Sequence, residues 1–435
     1  MPGLEFPQAG HNEEEMESGE GRMRLDALTG LRYVAALCVL LEHLAAFIPD
    51  SFLRKRIINL GGVGMPVFFV LSGFLMSYNY SAAFRASYLA TLRKFYIARF
   101  CRIYPIYVIA LLISFAFCGN VCRDLSESPR ETAIRLAFMG TVTQSWVEIP
   151  VSTDFTNPRP VWASYLHVAW SVSTEAFFYL SFPLFVLPIA RVVTSGRRLL
   201  FACGAIYSVY LAYNASIAHL WIEECAQPDF LYSRTFWGFY ICPYIRLGEF
   251  LIGASVGQFY LISQNRNVSS FRAVQAWRLL IASSIAATFT TNFYFNHLGQ
   301  GPLWLIVSSK NVLFAPLCAI AIYYLAAMPS LPQRVLAARP LVLLGESSYC
   351  LYLLHMIVLT LCRNFTLGEP GSTSTPSMIF NILTILVCLH YLSLGLYRYA
   401  EAPLRSFLRG LLEARPKPPA KEQTRDNPVP LRIAS

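Results

Sequence analysis

Apolar runs of about twenty residues, interrupted by short segments carrying arginine, recur from residue 26 to residue 399. A helix of roughly 20 apolar residues crosses about 30 Å of hydrocarbon, so each run predicts a transmembrane helix. Ten spans are predicted, at about 26–48, 62–82, 103–119, 162–190, 199–220, 237–262, 279–297, 308–328, 341–362 and 377–399. The expected fold class is all-α, a polytopic transmembrane helix bundle. The stretch 120–161 is long for a loop, and Ala133 to Val142 within it predicts a short helix or a re-entrant piece.

Composition agrees with that pattern. Of 435 residues, 55% are hydrophobic and 14% charged, against about 25% charged in soluble domains. This excludes an ordinary soluble globule. The net charge of +10 comes from 30 Arg and 5 Lys. They sit in short loops and the C-terminal tail rather than on one amphipathic face, which argues against a nucleic-acid partner. Every second loop is basic: Arg85, Arg93, Lys94, Arg99 and Arg102; then Arg191, Arg197 and Arg198; then Arg266, Arg272 and Arg278; then Arg334 and Arg339. Glu223, Glu224 and Asp229 mark an intervening acidic segment. The positive-inside rule therefore puts both termini in the cytoplasm of a multi-pass cell-membrane protein. Arg54, Lys55 and Arg56 break the alternation and are read as a short interfacial stretch.

Residues 1–24 form an acidic tail whose first 21 residues hold six Glu and no apolar core, so no cleavable signal is expected. Residues 406–435 are basic and Pro-rich and read as a second disordered tail, leaving 25–405 as the transmembrane domain. The 11 Cys show no metal-ligand spacing, and no metal is expected. Cys118 and Cys122 fall near the predicted outer face and form a candidate disulfide only in an oxidising compartment.

Ionisable residues inside spans are costly, so those present usually face a cavity or a partner. The first span carries Arg32, Glu42 and His43. Eleven residues of helix separate Arg32 from His43, which puts them about 20° apart around the axis and roughly 16 Å apart along it. They share one stripe at two depths. Arg32 lies where an anionic ligand from the cell interior would be met; His43 lies near the outer mouth and is suited to general base work near neutral pH. The bland reading is two unrelated interfacial side chains. Glu175, at the middle of the fourth span, either pairs with Arg32 or Arg246 or orients the imidazole of His43. Arg246 and Glu249, three residues apart, read mainly as a structural pair. Ser348, Tyr352 and His355 share a face of the ninth span, as an interhelical hydrogen-bonding stripe or as the lining for a polar acceptor. Arg99 and Arg102 also share a face, as phosphate ligands or as interfacial anchors. Gly61-Gly62-Val63-Gly64 lacks the lysine and hydroxyl residue of a phosphate-binding loop and reads as close helix contact or an irregular opening.

Six blocks, in order, resemble one family. They are Leu28-Thr29-Gly30-Leu31-Arg32 with ten residues between Arg32 and His43; Phe68-Phe69-Val70-Leu71-Ser72-Gly73-Phe74; Arg99-x-x-Arg102-x-x-Pro105; Trp170-Ser171-x-Ser173-x-Glu175-x-Phe177-Phe178-Tyr179; Gly345-Glu346-x-Ser348-Tyr349-x-Leu351-Tyr352-Leu353-x-His355; and Glu401-x-Pro403. This arrangement is similar to the integral membrane acyltransferase-3 family, which contains bacterial O-antigen, Nod-factor, exopolysaccharide and macrolide O-acyltransferases. With no hydrolase-like domain expected after the tenth span, the chain resembles the stand-alone members.

The resemblance implies an acyl-CoA donor, most often acetyl-CoA, used as a substrate with no permanently bound cofactor, and a hydroxyl acceptor on a sugar or glycan at the cell envelope. It also implies His43 as the catalytic residue with Arg32 as its motif partner, Arg99 and Arg102 as donor-binding residues, and Glu175 as a polar core residue of the catalytic set. Tyr352 and His355 are candidates for the acceptor side. Glu42 or Glu175 is the expected holder of the His43 tautomer. Because the donor is cytoplasmic and His43 sits toward the far side, either the acyl-pantetheine arm reaches about 20 Å into the bundle or the acyl group is relayed on the protein. The competing class is a proton-coupled exporter of a small molecule or glycan precursor; the halves of the chain show no internal repeat of the kind many transporters have.

Overall fold

The computed structural model describes residues 19–45, 61–117, 128–149, 160–163, 165–220, 233–264, 314–362 and 375–413. Among them the fold is helical, with no strand. The helices are α1 (Gly19–Ala45), α2 (Gly61–Ala86), α3 (Tyr88–Phe117), α4 (Pro129–Gly140), α5 (Trp170–Val192), α6 (Gly196–Leu220), α7 (Pro243–Ser263), α8 (Phe314–Ala327), α9 (Leu331–Leu336), α10 (Arg339–Glu346), α11 (Ser348–Cys362), α12 (Thr375–Leu396) and α13 (Ala402–Glu413). Seven helical stretches are long and apolar enough to cross a membrane, and the pair α10 and α11 makes an eighth if counted as one span. The span expected at 279–297, the Arg54–Arg56 stretch, Cys118 and Cys122 all lie outside the described residues.

Leu184, Leu200, Phe201 and Val209 point outward on α5 and α6. Isolated in water such a surface would be an aggregation liability; in hydrocarbon it is the solvent-facing side. Inside, Phe69, Phe84, Phe95, Phe178, Phe182 and Phe250 build the central cluster. The Phe178 and Phe250 rings stack at 4.9 Å, joining α5 to α7.

Glycine sets the closest crossings. A Cβ on Gly73 of α2 would come within 2.0 Å of the Phe250 carbonyl oxygen, and one on Gly253 of α7 within 2.0 Å of the Val70 carbonyl oxygen. The two backbones touch where each helix lacks a side chain, as small-residue motifs permit in membranes. Gly30 of α1 and Gly345 of α10 make two further close approaches: their Cβ positions fall 2.0 Å from the carbonyl oxygens of Leu336 on α9 and Thr29 on α1. The close-contact reading of the glycine-rich segment also holds at Gly64, whose Cβ would lie 2.6 Å from the Ala35 carbonyl oxygen.

Two expectations change and one is borne out. The ninth span, expected unbroken over 341–362, bends by 65° between α10 and α11. The break is at Ser347, and the Ser348 hydroxyl donates to the Gly345 carbonyl at 2.7 Å, so side-chain bonding replaces part of the interrupted backbone ladder. The last helix runs past the expected boundary at residue 405: α12 continues through a π-turn at Tyr397–Glu401 into α13, and Ile379–Glu413 forms a 35-residue helical stretch. At about 1.5 Å per residue this exceeds the hydrocarbon thickness by roughly 20 Å. The short helix expected within 133–142 is present: it belongs to α4, and the chain reverses after it at Val142, φ 58°. That conformation is strained for a β-branched residue. It turns the chain so that the Ser145 amide meets Ser173 Oγ at 3.1 Å and Trp146 Nε1 donates to the Ser173 carbonyl at 2.9 Å.

Candidate active site

Arg32 and His43 both belong to α1, so the stripe predicted from helical periodicity exists. At the Arg32 end, two cavities meet. The wider, about 540 Å³, is lined by Thr29, Arg32, Tyr80, Arg99, Arg102 and Glu346 together with residues of α13. The narrower, about 110 Å³, shares Arg32, Arg99 and Arg102 and continues between α2, α5 and α11 past Ser72, Glu175 and Tyr179 to Ser171 and Tyr352.

Each arginine is held differently. Arg99 donates from Nη2 to the Tyr80 hydroxyl at 3.0 Å and lies over the Tyr80 and Tyr179 rings, 5.3 and 5.5 Å from their centres. Such contacts position a guanidinium without neutralising it. Its Nε is buried without a hydrogen-bond partner among the described residues. Arg102 forms an ion pair with the buried carboxylate of Glu401 in the π-turn, and Cys350 Sγ donates to the other Glu401 oxygen at 3.1 Å. Arg32 makes no hydrogen bond or ion pair among the described residues; Glu175 and Glu401 act on it only through space.

Glu175 accepts from Tyr179 at 2.5 Å and Ser72 at 3.3 Å. It forms no ion pair with Arg246, whose carboxylate partner is Glu249 at 2.8 Å, both side chains fully buried. Arg246 also donates from Nε to the Tyr240 carbonyl at 2.8 Å and lies 4.3 Å from the Tyr240 ring centre. The structural reading of that pair fits its place away from both cavities.

The other polar positions of the 170–179 block divide by task. Ser173 and Thr174 anchor Ser145, whose hydroxyl reaches them at 2.9 and 3.2 Å. Ser171 donates to the Tyr352 hydroxyl at 2.7 Å, and Tyr352 donates to the Val168 carbonyl at 2.9 Å. These bonds sit at the inner end of the narrow cavity. One turn further along α11, His355 meets His43.

At the His43 end three imidazoles gather. His43 is 5.0 Å from His355 and 6.2 Å from His167, ring centre to ring centre. His43 Nδ1 bonds the Val39 carbonyl at 2.9 Å. A carbonyl only accepts, so Nδ1 carries a proton and Nε2 is the nitrogen left to act as a base. Neither expected carboxylate holds this tautomer. Glu42 instead accepts the Gly62 amide at 3.1 Å, and Glu175 is committed to Ser72 and Tyr179. The α-helix supplies the carbonyl four residues earlier, so no second side chain is needed. His355 repeats the device: Nδ1 bonds the Tyr352 carbonyl at 2.5 Å, and Nε2 is buried with no partner among the described residues. No group of three or more His, Cys, Asp or Glu among the described residues is arranged to hold a metal ion.

All seven residues singled out from the sequence therefore border one axis: Arg32, Arg99, Arg102, Glu175 and Tyr352 on the narrow cavity, His43 and His355 just beyond it. Sequence reasoning missed His167, which lies in a turn before α5 with no periodic signal. It also gave no role to Tyr179 or Glu401, although both stand inside the quoted blocks.

Residues 25–394 match the sequence model of a family described as an acyltransferase domain. The acyltransferase MdmB of Streptomyces mycarofaciens is 26% identical over 360 residues, covering 80% of this chain and 82% of that protein. The O-acetyltransferase OatA of Staphylococcus aureus is 24% identical over 383 residues, covering 88% of this chain. The chain spans 57% of the length of OatA. No solved structure matches the chain significantly. With six motif blocks in order, an apolar helical bundle and a family match over most of its length, the chain belongs to the acyltransferase-3 family of multi-pass membrane acyltransferases.

Proposed function

We propose that the protein moves an acyl group, acetyl in the first instance, from acyl-CoA to a hydroxyl of a sugar or glycan at the cell envelope, with His43 as general base. One observation carries the reading: an arginine-lined entrance and a tautomer-fixed imidazole stand on the same helix α1, and the cavity that leaves the entrance along α5 and α11 ends at Tyr352, one turn of α11 before the His355 ring that lies 5.0 Å from His43.

A thioester is already activated, so the enzyme aligns it, removes a proton and stabilises the oxyanion. Nε2 of His43 takes the proton of the acceptor hydroxyl while that oxygen attacks the thioester carbonyl carbon. The C–S bond breaks, and the imidazolium returns its proton to the departing thiolate. Arg99 and Arg102 bind donor phosphates at the entrance. Arg32, unpaired and facing Glu175 through space, meets the donor or the developing charge. Tyr352 and His355 address the acceptor side, where the orphaned Nε2 of His355 can accept from a sugar hydroxyl. No resident cofactor takes part; acyl-CoA is a substrate.

The test is transfer of label from acetyl-CoA into envelope glycan by membranes holding equal amounts of wild type or His43→Ala. Label in glycan with wild type alone supports the reading. Full transfer by His43→Ala overturns the role of His43, and a wild type that neither transfers nor hydrolyses acetyl-CoA returns the exporter reading.

A further inference from the structure

We propose that α13 completes a polyphosphate site: Arg405 and Arg409 form the outer wall that grips the nucleotide end of the donor. This rests on the acyl-CoA reading and assigns binding to a helix that the sequence pattern left in a tail. Ala402, Arg405, Ser406 and Arg409 recur at helical spacing and line the 540 Å³ cavity opposite Arg32, Arg99 and Arg102. On the other side of α13, Phe407 and Leu411 are 67% and 62% exposed. The helix thus sets Arg405 and Arg409, the latter with 57% of its side chain exposed, on the rim of the chamber and its apolar edge on the opposite side, as a helix does when one side meets lipid and the other a polar chamber.

The charge balance of the chamber calls for an anion. Five arginines line it: Arg32, Arg99, Arg102, Arg405 and Arg409. Four carboxylates offset them: Glu346 in the lining, Glu401 paired with Arg102, Glu413 paired with Arg409 at 2.9 Å, and Glu175, which faces Arg32 from the adjoining cavity. One positive charge remains before any ligand enters. Arg32 and Arg405 make no hydrogen bond or ion pair among the described residues. Guanidinium groups from three helices, converging on one chamber, suit bidentate phosphate contacts.

The shape favours a nucleotide over a phospholipid headgroup. A chamber of about 540 Å³ shares Arg32, Arg99 and Arg102 with an adjoining cavity of about 110 Å³. A bulky polyanion carrying one thioester arm suits a large cavity followed by a small one better than a headgroup carrying two acyl chains does.

The experiment measures binding of CoA, 3′-dephospho-CoA and pantetheine to the full chain in nanodiscs, for wild type, Arg405→Gln/Arg409→Gln and Arg405→Lys/Arg409→Lys. The Gln pair should weaken CoA at least tenfold and 3′-dephospho-CoA less, and leave pantetheine unchanged; the Lys pair should recover most of the CoA affinity. Equal weakening of all three ligands, or an unchanged CoA affinity, overturns the proposal. Unchanged CoA binding with loss of bound phosphatidylglycerol would assign the arginines to the bilayer and overturn it too. Wild type that binds CoA while the Gln pair is unaffected removes this inference alone; wild type that binds none of the three removes the acyl-CoA reading with it.

Discussion

The imidazoles of His43 and His355 lie 5.0 Å apart, on α1 and α11, and each donates its Nδ1 proton to a carbonyl of its own helix, Val39 and Tyr352. Both rings are thereby oriented with Nε2 as the nitrogen left free of the helix, without a carboxylate partner. In a site bounded by apolar helices this is economical, since a buried carboxylate would itself need compensation.

His43→Ala should insert normally and lose transfer by about 10²–10⁴-fold, the range that a positioned general base supplies. Labelled acetate transfer at matched expression measures it. Insertion should survive because the lost bond is within one helix turn.

His355→Leu should act differently. With the orphaned Nε2 removed, the acceptor KM should rise about tenfold or more, while slow hydrolysis of acetyl-CoA without acceptor stays near wild type. Steady-state kinetics with and without acceptor separate the two.

Glu175→Ala should lower thermal stability by about 1–3 kcal/mol, because the Tyr179 and Ser72 hydroxyls lose their acceptor. Glu175→Gln keeps an accepting oxygen and should restore most of the melting temperature. A detergent melt of both variants checks this.

Gly253→Ala should disrupt assembly, since its Cβ would meet the Val70 carbonyl at 2.0 Å and backbone cannot move aside cheaply. Gly395→Ala, with nothing within 4 Å of the added carbon, is the neutral control. Yield of monodisperse protein reads both.

Breaking the Arg246–Glu249 pair from one side, as in Glu249→Ala, should cost about 3–5 kcal/mol by leaving a buried guanidinium uncompensated. The variant should fail to accumulate, and Arg246→Met/Glu249→Leu should recover part of the loss.

The all-helical apolar bundle and the placing of Arg32 and His43 on one helix were legible in the sequence because both depend on chain-local quantities, apolar run length and 3.6-residue periodicity, whereas the count of ten spans was not: seven or eight are seen among the described residues. The motif blocks likewise brought Arg99, Arg102, Glu175, Tyr352 and His355 into view. Which atoms those residues meet was not legible. That Glu42 turns to the Gly62 amide, that Glu175 answers to Ser72 as well as Tyr179, and that His355 and His167 join the His43 imidazole depend on helix rotation and crossing. Those are set by contacts between distant segments, such as Gly73 on α2 against Phe250 on α7. The same holds for α13. Its polar and Pro-rich surroundings read as a tail, and only its packing beside α3, where Arg93 reaches the Leu412 carbonyl at 3.3 Å, places its arginines on the entrance. Periodicity acts along one helix and so is written locally, whereas the partner of a buried polar atom is chosen by whichever backbone the packing brings within hydrogen-bond reach.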